Sequence, residues 1–168
     1  MLDAPALRVT TSGDRRIVMS RDFSAPRPLV SDAWTKPHQL KRWYGADGWT
    51  LTVCEIDPRP GGAWRYVSRG PGGATMTQRG AFREFVPPER IVATQTFDPP
   101  FGAAESLVTT RFDVRGAGTT VTVTVDYPTA AARAGALRTP MRRGVAQGYA
   151  RLDALLAALP PAGPARDA

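Results

Sequence analysis

Residues 140–159 read PMRRGVAQGYARLDALLAAL. Met141, Val145, Tyr149, Leu152, Leu155, Leu156 and Leu159 recur in this run at spacings of three and four, the period of one apolar helical face. Thr139 is placed to cap the helix and Pro140 to open it, because the first helical position has no partner for an N–H in any case. Twenty residues at about 1.5 Å each extend about 30 Å, close to a strand of about nine residues at ~3.3 Å per residue. One helix can therefore lie along a whole sheet. Gly144 and Gly148 sit four apart on it, and each costs about 1 kcal/mol relative to alanine. Close packing of the helix or room for a bound molecule has to offset that loss.

Upstream, the chain reads as strands cut by turns. Alternation over 15–23 puts Ile17, Met19, Arg21 and Phe23 on one face. Ala25-Pro26 breaks it, and two short helices are expected over 27–34 and 37–43, the second opened by Pro37. Strands then follow over 51–56, 63–68, 76–86, 91–97, 107–114 and 119–127. They are separated by breakers such as Asp57-Pro58-Arg59-Pro60-Gly61-Gly62, Gly70-Pro71-Gly72-Gly73 and Asp98-Pro99-Pro100. That makes seven strands joined mostly by short turns, hence antiparallel. Residues 129–138 predict a separate short helix before Pro140. The fold class is α+β, with a seven-stranded antiparallel sheet against a long C-terminal helix and two short helices after the first strand.

Period-two alternation also assigns faces. Met76, Phe82, Glu84 and Val86 fall opposite Arg79 and Arg83, so Glu84 is expected to point inward. Trp64 and Tyr66 lie inward opposite Arg65 and Arg69, Val108 and Phe112 opposite Arg111, and Val121, Val123 and Val125 opposite the threonines between them. Strand 91–97 alternates too weakly to assign. The inward surface is rich in rings, which suits either a packed core or a lined pocket.

At 168 residues and 18.1 kDa the chain has the size of one domain, taken as 14–159, with a loose segment at 1–13 and a disordered tail at 160–168. A single cysteine, Cys54, and a single histidine, His38, leave no intramolecular disulfide and no metal site built on several such ligands. No cofactor and no metal are expected. The net charge of +7 is spread along the chain and carried almost wholly by arginine, so nucleic acid is not an expected partner. Arg138, Arg142, Arg143 and Arg151 read as a solvated outer face of the C-terminal helical region. No run reads as a signal peptide or as a membrane span, which points to a cytoplasmic protein with a free thiol.

Several motifs in order carry a family resemblance. They are Asp22-Phe23-Ser24-Ala25-Pro26, Asp32-Ala33-Trp34-Thr35, Arg42-Trp43-Tyr44-Gly45, Val53-Cys54-Glu55-Ile56-Asp57, Arg59-Pro60-Gly61-Gly62-Ala63-Trp64-Arg65-Tyr66, Gly80, Glu84, Pro88-Glu89-Arg90 and Thr94-Gln95-Thr96-Phe97. Over about 15–158 the chain resembles the activator of heat-shock-protein-90 ATPase homologue-like branch of the SRPBCC superfamily, which includes START, polyketide cyclase and birch-allergen-like proteins. The resemblance implies a helix-grip fold, in which an antiparallel sheet wraps the long C-terminal helix around a cavity for apolar or amphipathic small molecules. Val145 stands where the family commonly carries tryptophan, and Tyr44 where it commonly carries a second one.

Three functions follow as expectations. The first is a binding module without catalysis, holding a hydrophobic or amphipathic small molecule against Trp43, Trp64, Tyr66, Phe82, Glu84, Phe112, Met141, Val145 and Tyr149. The second is a cyclase- or hydrolase-type enzyme in which Glu84 is acid or base and Tyr66 or Arg21 orients a carbonyl. The third is a chaperone-regulating or stress-related interaction protein acting through its surface. A homodimer through exposed sheet or helix surfaces is compatible with each.

Overall fold

A computed structural model describes residues 5–102 and 104–160. Wherever proline and glycine interrupt the alternating runs, the chain turns. The elements are β1 (Arg8–Ser12), β2 (Arg16–Phe23), α1 (Arg27–Thr35), α2 (Pro37–Trp43), β3 (Thr50–Ile56), β4 (Ala63–Arg69), β5 (Thr75–Val86), β6 (Arg90–Phe97), β7 (Ser106–Arg115), β8 (Gly118–Asp126), α3 (Ala130–Leu137) and α4 (Met141–Ala158). The strands form one antiparallel sheet in the order β1-β2-β8-β7-β6-β5-β4-β3. This is the helix-grip arrangement, with eight strands in place of the expected seven. The extra one, β1, falls inside the segment expected to be loose, where pairing with β2 outweighs its weak apolar pattern. Of the expected C-terminal tail, 161–168 lie outside the described residues.

Residue chemistry accounts for the ends of the last two helices. The Thr129 side chain accepts a hydrogen bond from the Ala132 N–H and caps α3. The Thr139 hydroxyl does not cap α4 as expected; it donates to the Ala136 carbonyl at the end of α3. Pro140 then stands just before α4, which runs for 18 residues rather than twenty.

Two apolar clusters fill the space under the sheet. The larger joins Phe23, Val30, Leu40, Trp43, Leu51, Trp64, Phe82, Phe112 and Val121 to Tyr149, Leu152, Leu155 and Leu156 of α4. The smaller is Ile17, Met19 and Val125, flanked by Met141 and Val145. The backbone of α4 comes closest to α2 and α1, while its side chains reach the sheet, Tyr149 lying against Phe23 and Asp153 bonding Arg21 of β2. The two helix glycines explain that closeness. A Cβ on Gly148 would lie 3.2 Å from the carbonyl oxygens of Trp43 and Gly45, and one on Gly144 3.2 Å from the Ala46 methyl. Arg151 completes the attachment: it donates to the Gly45 carbonyl and reaches Asp47 Oδ1 at 2.6 Å. The offset for these glycines is therefore contact between the helix and the 44–47 loop.

Candidate functional site

A continuous chain of rings runs from beneath α1 to the inner face of β4. Phe112 meets Trp34 edge-on at 5.5 Å between centroids, and Trp34 meets Trp43 at 4.7 Å and Tyr149 at 5.7 Å. Trp43 continues to Tyr44 at 5.7 Å, Tyr44 to Tyr66 at 5.3 Å, and Tyr66 to Trp64 at 4.7 Å. Offset and edge-on geometries of this kind add to the burial of apolar surface. Tyr44 enters the chain from the end of α2, while Trp64 and Tyr66 come from alternate, inward positions of β4. The Trp64 indole lies across β5 over Gly80, its register partner, and donates to the Thr94 carbonyl at 3.1 Å. A Cβ at position 80 would lie 1.8 Å from the Thr94 carbonyl oxygen and 2.7 Å from Trp64 Nε1, which is why glycine is needed there.

Exposure is graded along this chain. Phe112, Trp43 and Tyr149 are buried, whereas Tyr44, Tyr66, Cys54 and Val145 remain half-buried. Trp64 is buried with the first group, so the exposure near β3 and β4 belongs to Tyr44, Cys54 and Tyr66.

Gln78, the tyrosine hydroxyls and the Cys54 thiol supply polar groups there, with Lys41 close enough to act on the thiol. Gln78, directly across from Tyr66 on β5, is 3% exposed. Its Nε2 donates to the Tyr44 hydroxyl at 2.7 Å, and its Oε1 is buried without a partner. Burial raises the Tyr44, Tyr66 and Tyr149 hydroxyls above their ordinary range; the Tyr44 phenol adds to it at Tyr66 and Tyr149, while at Tyr44 the Gln78 hydrogen bond works against it. Burial also pushes the Cys54 thiol up to about 11, against a smaller lowering by Lys41. At neutral pH these four groups are therefore neutral and can form hydrogen bonds, but none is poised to exchange a proton.

Several expected site residues lie elsewhere. Glu84 points outward, with its side chain 49% exposed and paired to Arg90 at 3.0 Å. The cause is a β-bulge: Phe82 faces Ala93 but Glu84 faces Val92, so one extra residue turns Glu84 and Val86 to the outer face and Phe85 inward. Glu84 cannot then act as an interior acid or base. Arg21 does point inward and is 4% exposed, but Asp153 of α4 grips it through two bonds of 2.6 and 2.5 Å. It is thereby held away from any carbonyl at the ring surface.

Met141 joins the cluster around Ile17 and Met19, away from Trp64 and Tyr66, while Val145 touches both clusters. Phe82 packs on Phe85 at 5.0 Å, deeper in the sheet than the half-buried rings. Tyr44, Cys54 and Gln78 are not among the site residues expected from sequence. Gln78 carried a readable signal, since it shares inward parity with Met76 and Phe82.

Two open depressions of about 540 and 490 Å³ lie on the outer side of the sheet, among residues such as Arg83, Arg90 and Glu105 in one and Arg65, Arg79 and Thr96 in the other. Among the described residues no cluster of three or more His, Cys, Asp or Glu could hold a metal ion, and no helix is long and apolar enough to cross a membrane.

Residues 24–157 match the family described as activator of Hsp90 ATPase homolog 1-like protein. The chain belongs to that family. A crystal structure of a Rhodobacter sphaeroides protein shares 31% identity, covers 91% of this chain and 99% of its own, and superposes with a TM-score of 0.85. Corresponding values for a Mycobacterium smegmatis protein are 24%, 91%, 98% and 0.80, and for an Arthrobacter aurescens protein 20%, 95%, 96% and 0.81. The last two show the shared fold alone. No curated protein matches the chain. The helix-grip fold of this family is one known for binding ligands.

Proposed function

We propose that the chain binds a hydrophobic or amphipathic small molecule between the inner face of β3–β5 and α4, without catalysing a reaction on it. The observation that carries this reading is the half-buried pair of rings Tyr66 and Tyr44, set beside the buried Trp64 on the inner face of β4. Apolar surface with a small number of oriented polar groups is the usual composition of a ligand site. Catalysis has little support, because Glu84 faces solvent and Arg21 is tied to Asp153.

Two measurements test the proposal together. Native mass spectrometry of protein purified without organic solvent is expected to show a retained small mass. Titration with the neutral fluorophore N-phenyl-1-naphthylamine is expected to saturate at one molecule per chain and to quench Trp64 by energy transfer. A bare chain together with no saturable signal would refute it.

A further inference from the structure

The Gln78 amide specifies something about the ligand that ring stacking alone does not. A carboxamide offers two donors and a carbonyl acceptor. Here the nitrogen is committed to Tyr44, and the oxygen is buried with no partner among the described residues. An orphaned buried acceptor costs about 1–3 kcal/mol. A hydrophobic residue of similar shape would avoid that cost, yet the position carries glutamine on the inward side of a strand, facing Tyr66 on one neighbour and Phe97 on the other. Neither of the two charged side chains expected inside competes for it. Arg21 is saturated by Asp153, and the carboxylate of Glu84 is on the far side of the sheet. Of the other orphaned atoms, Ser31 Oγ belongs to α1, Gln39 Oε1 to α2 and Arg133 Nε to α3, so among the described residues Gln78 Oε1 is the one on the sheet.

We infer that the ligand is uncharged and presents one hydroxyl or N–H group to Gln78 Oε1, with its apolar body against Trp64 and Tyr66. This rests on the binding reading above and deepens it. An anion is disfavoured at this point, because a carboxylate brings only acceptors to an acceptor and leaves its hydration behind. A molecule with an ether in place of the hydroxyl fits the rings equally well but leaves the carbonyl unsatisfied.

Three probes of one shape separate these cases: 2-naphthol, 2-methoxynaphthalene and 2-naphthoate. Displacement of N-phenyl-1-naphthylamine gives their affinities for the wild-type chain and for Gln78→Met. The wild type is expected to bind 2-naphthol about tenfold more tightly than the ether, the difference one buried hydrogen bond supplies, with 2-naphthoate weakest. In Gln78→Met the naphthol and ether should agree within about twofold, with the ether no weaker than before. Urea unfolding of Gln78→Met checks the fold, and the wild-type order is decisive by itself should that variant fail to fold. Equal affinities in the wild type, or a preference for the ether or for naphthoate, overturn the inference while leaving the binding site standing. Failure of the fluorophore and all three probes to bind overturns the binding reading and this inference with it.

Discussion

Replacing Asp153 by alanine removes the only carboxylate among the described residues that reaches Arg21. The arginine side chain is 5% exposed and the aspartate 37%. After the change the guanidinium retains a contact of 3.3 Å to the Asp22 carbonyl and its position 4.7 Å over the Phe23 ring. Breaking a fully buried pair from one side costs about 3–5 kcal/mol. Water can reach the aspartate end, so the expected loss here is nearer to 2–3 kcal/mol. In a domain of this size that is about 5–10 °C in Tm. The double variant Arg21→Met with Asp153→Ala removes the stranded charge and should recover roughly 1–2 kcal/mol of the loss. Urea unfolding of the wild type, Arg21→Met, Asp153→Ala and the double variant, followed by tryptophan fluorescence, gives the coupling directly. Asp153→Ala within about 0.5 kcal/mol of wild type, or a double variant less stable than Asp153→Ala alone, would show that the pair does not anchor α4 to β2.

Asp22 is held below its ordinary carboxylate range chiefly by the Thr120 hydroxyl at 2.6 Å, with Arg8 and Arg115 adding to it. A depressed folded pKa contributes stability above the unfolded value near 3.8, and that contribution disappears as pH falls through the folded value. Asp22→Asn should accordingly flatten the acid side of the stability profile and cost about 1 kcal/mol at pH 7, read from urea midpoints between roughly pH 3 and 7. Cys54 has the opposite sign: with its thiol raised from 9.0 to about 11 by burial, its contribution is intact below the unfolded value and is lost as pH rises through the folded one. Thiolate absorbance should titrate near 11, and a midpoint at the ordinary value would contradict the burial. Gly135→Ala meets nothing within 4 Å and should gain about 0.5 kcal/mol, whereas Gly148→Ala meets two backbone carbonyls at 3.2 Å and should lose about 1 kcal/mol despite better helix propensity; thermal melts decide both. Glu84→Gln, on an exposed pair, should change stability by less than about 0.5 kcal/mol and leave fluorophore binding unaltered.

Local signals account for most of the architecture. Pro37, Pro58, Gly61-Gly62 and Gly72-Gly73 sit where the elements break, and the three-four spacing from Met141 to Leu156 gives α4 its buried face. Parity correctly turns Trp64, Tyr66, Arg21 and Phe112 inward, because those strands pair without interruption up to these residues. It fails at Glu84 because a bulge is a property of two strands in register; nothing within 76–86 announces that Arg83 will be surplus against β6. It also gives no face for 91–97, where Ile91, Val92, Ala93 and Thr94 are buried on both sides of the sheet. The ring surface was half legible, since its strand members follow from alternation but Tyr44 arrives from α2 through tertiary packing alone. Gly144 and Gly148 need compensation on helix propensity alone, yet their partner, the 44–47 loop, is about a hundred residues away and leaves no trace in the helix itself.

The place of β2 beside β8 sets a timetable for synthesis. Phe23 pairs with Thr119, and the ring of Phe23 is covered by Tyr149 at 5.3 Å. At about 5–20 residues per second, the first strands wait roughly 5–20 s for their neighbour to leave the ribosome, and longer for the helix that roofs them. The meander from β3 to β8 can pair in order as it emerges, but the N-terminal hairpin cannot dock early. Through that interval Ile17, Met19 and Phe23, all buried once folding is complete, stay open to water and to any holdase, which makes the first strands the segment most exposed to misassembly during translation.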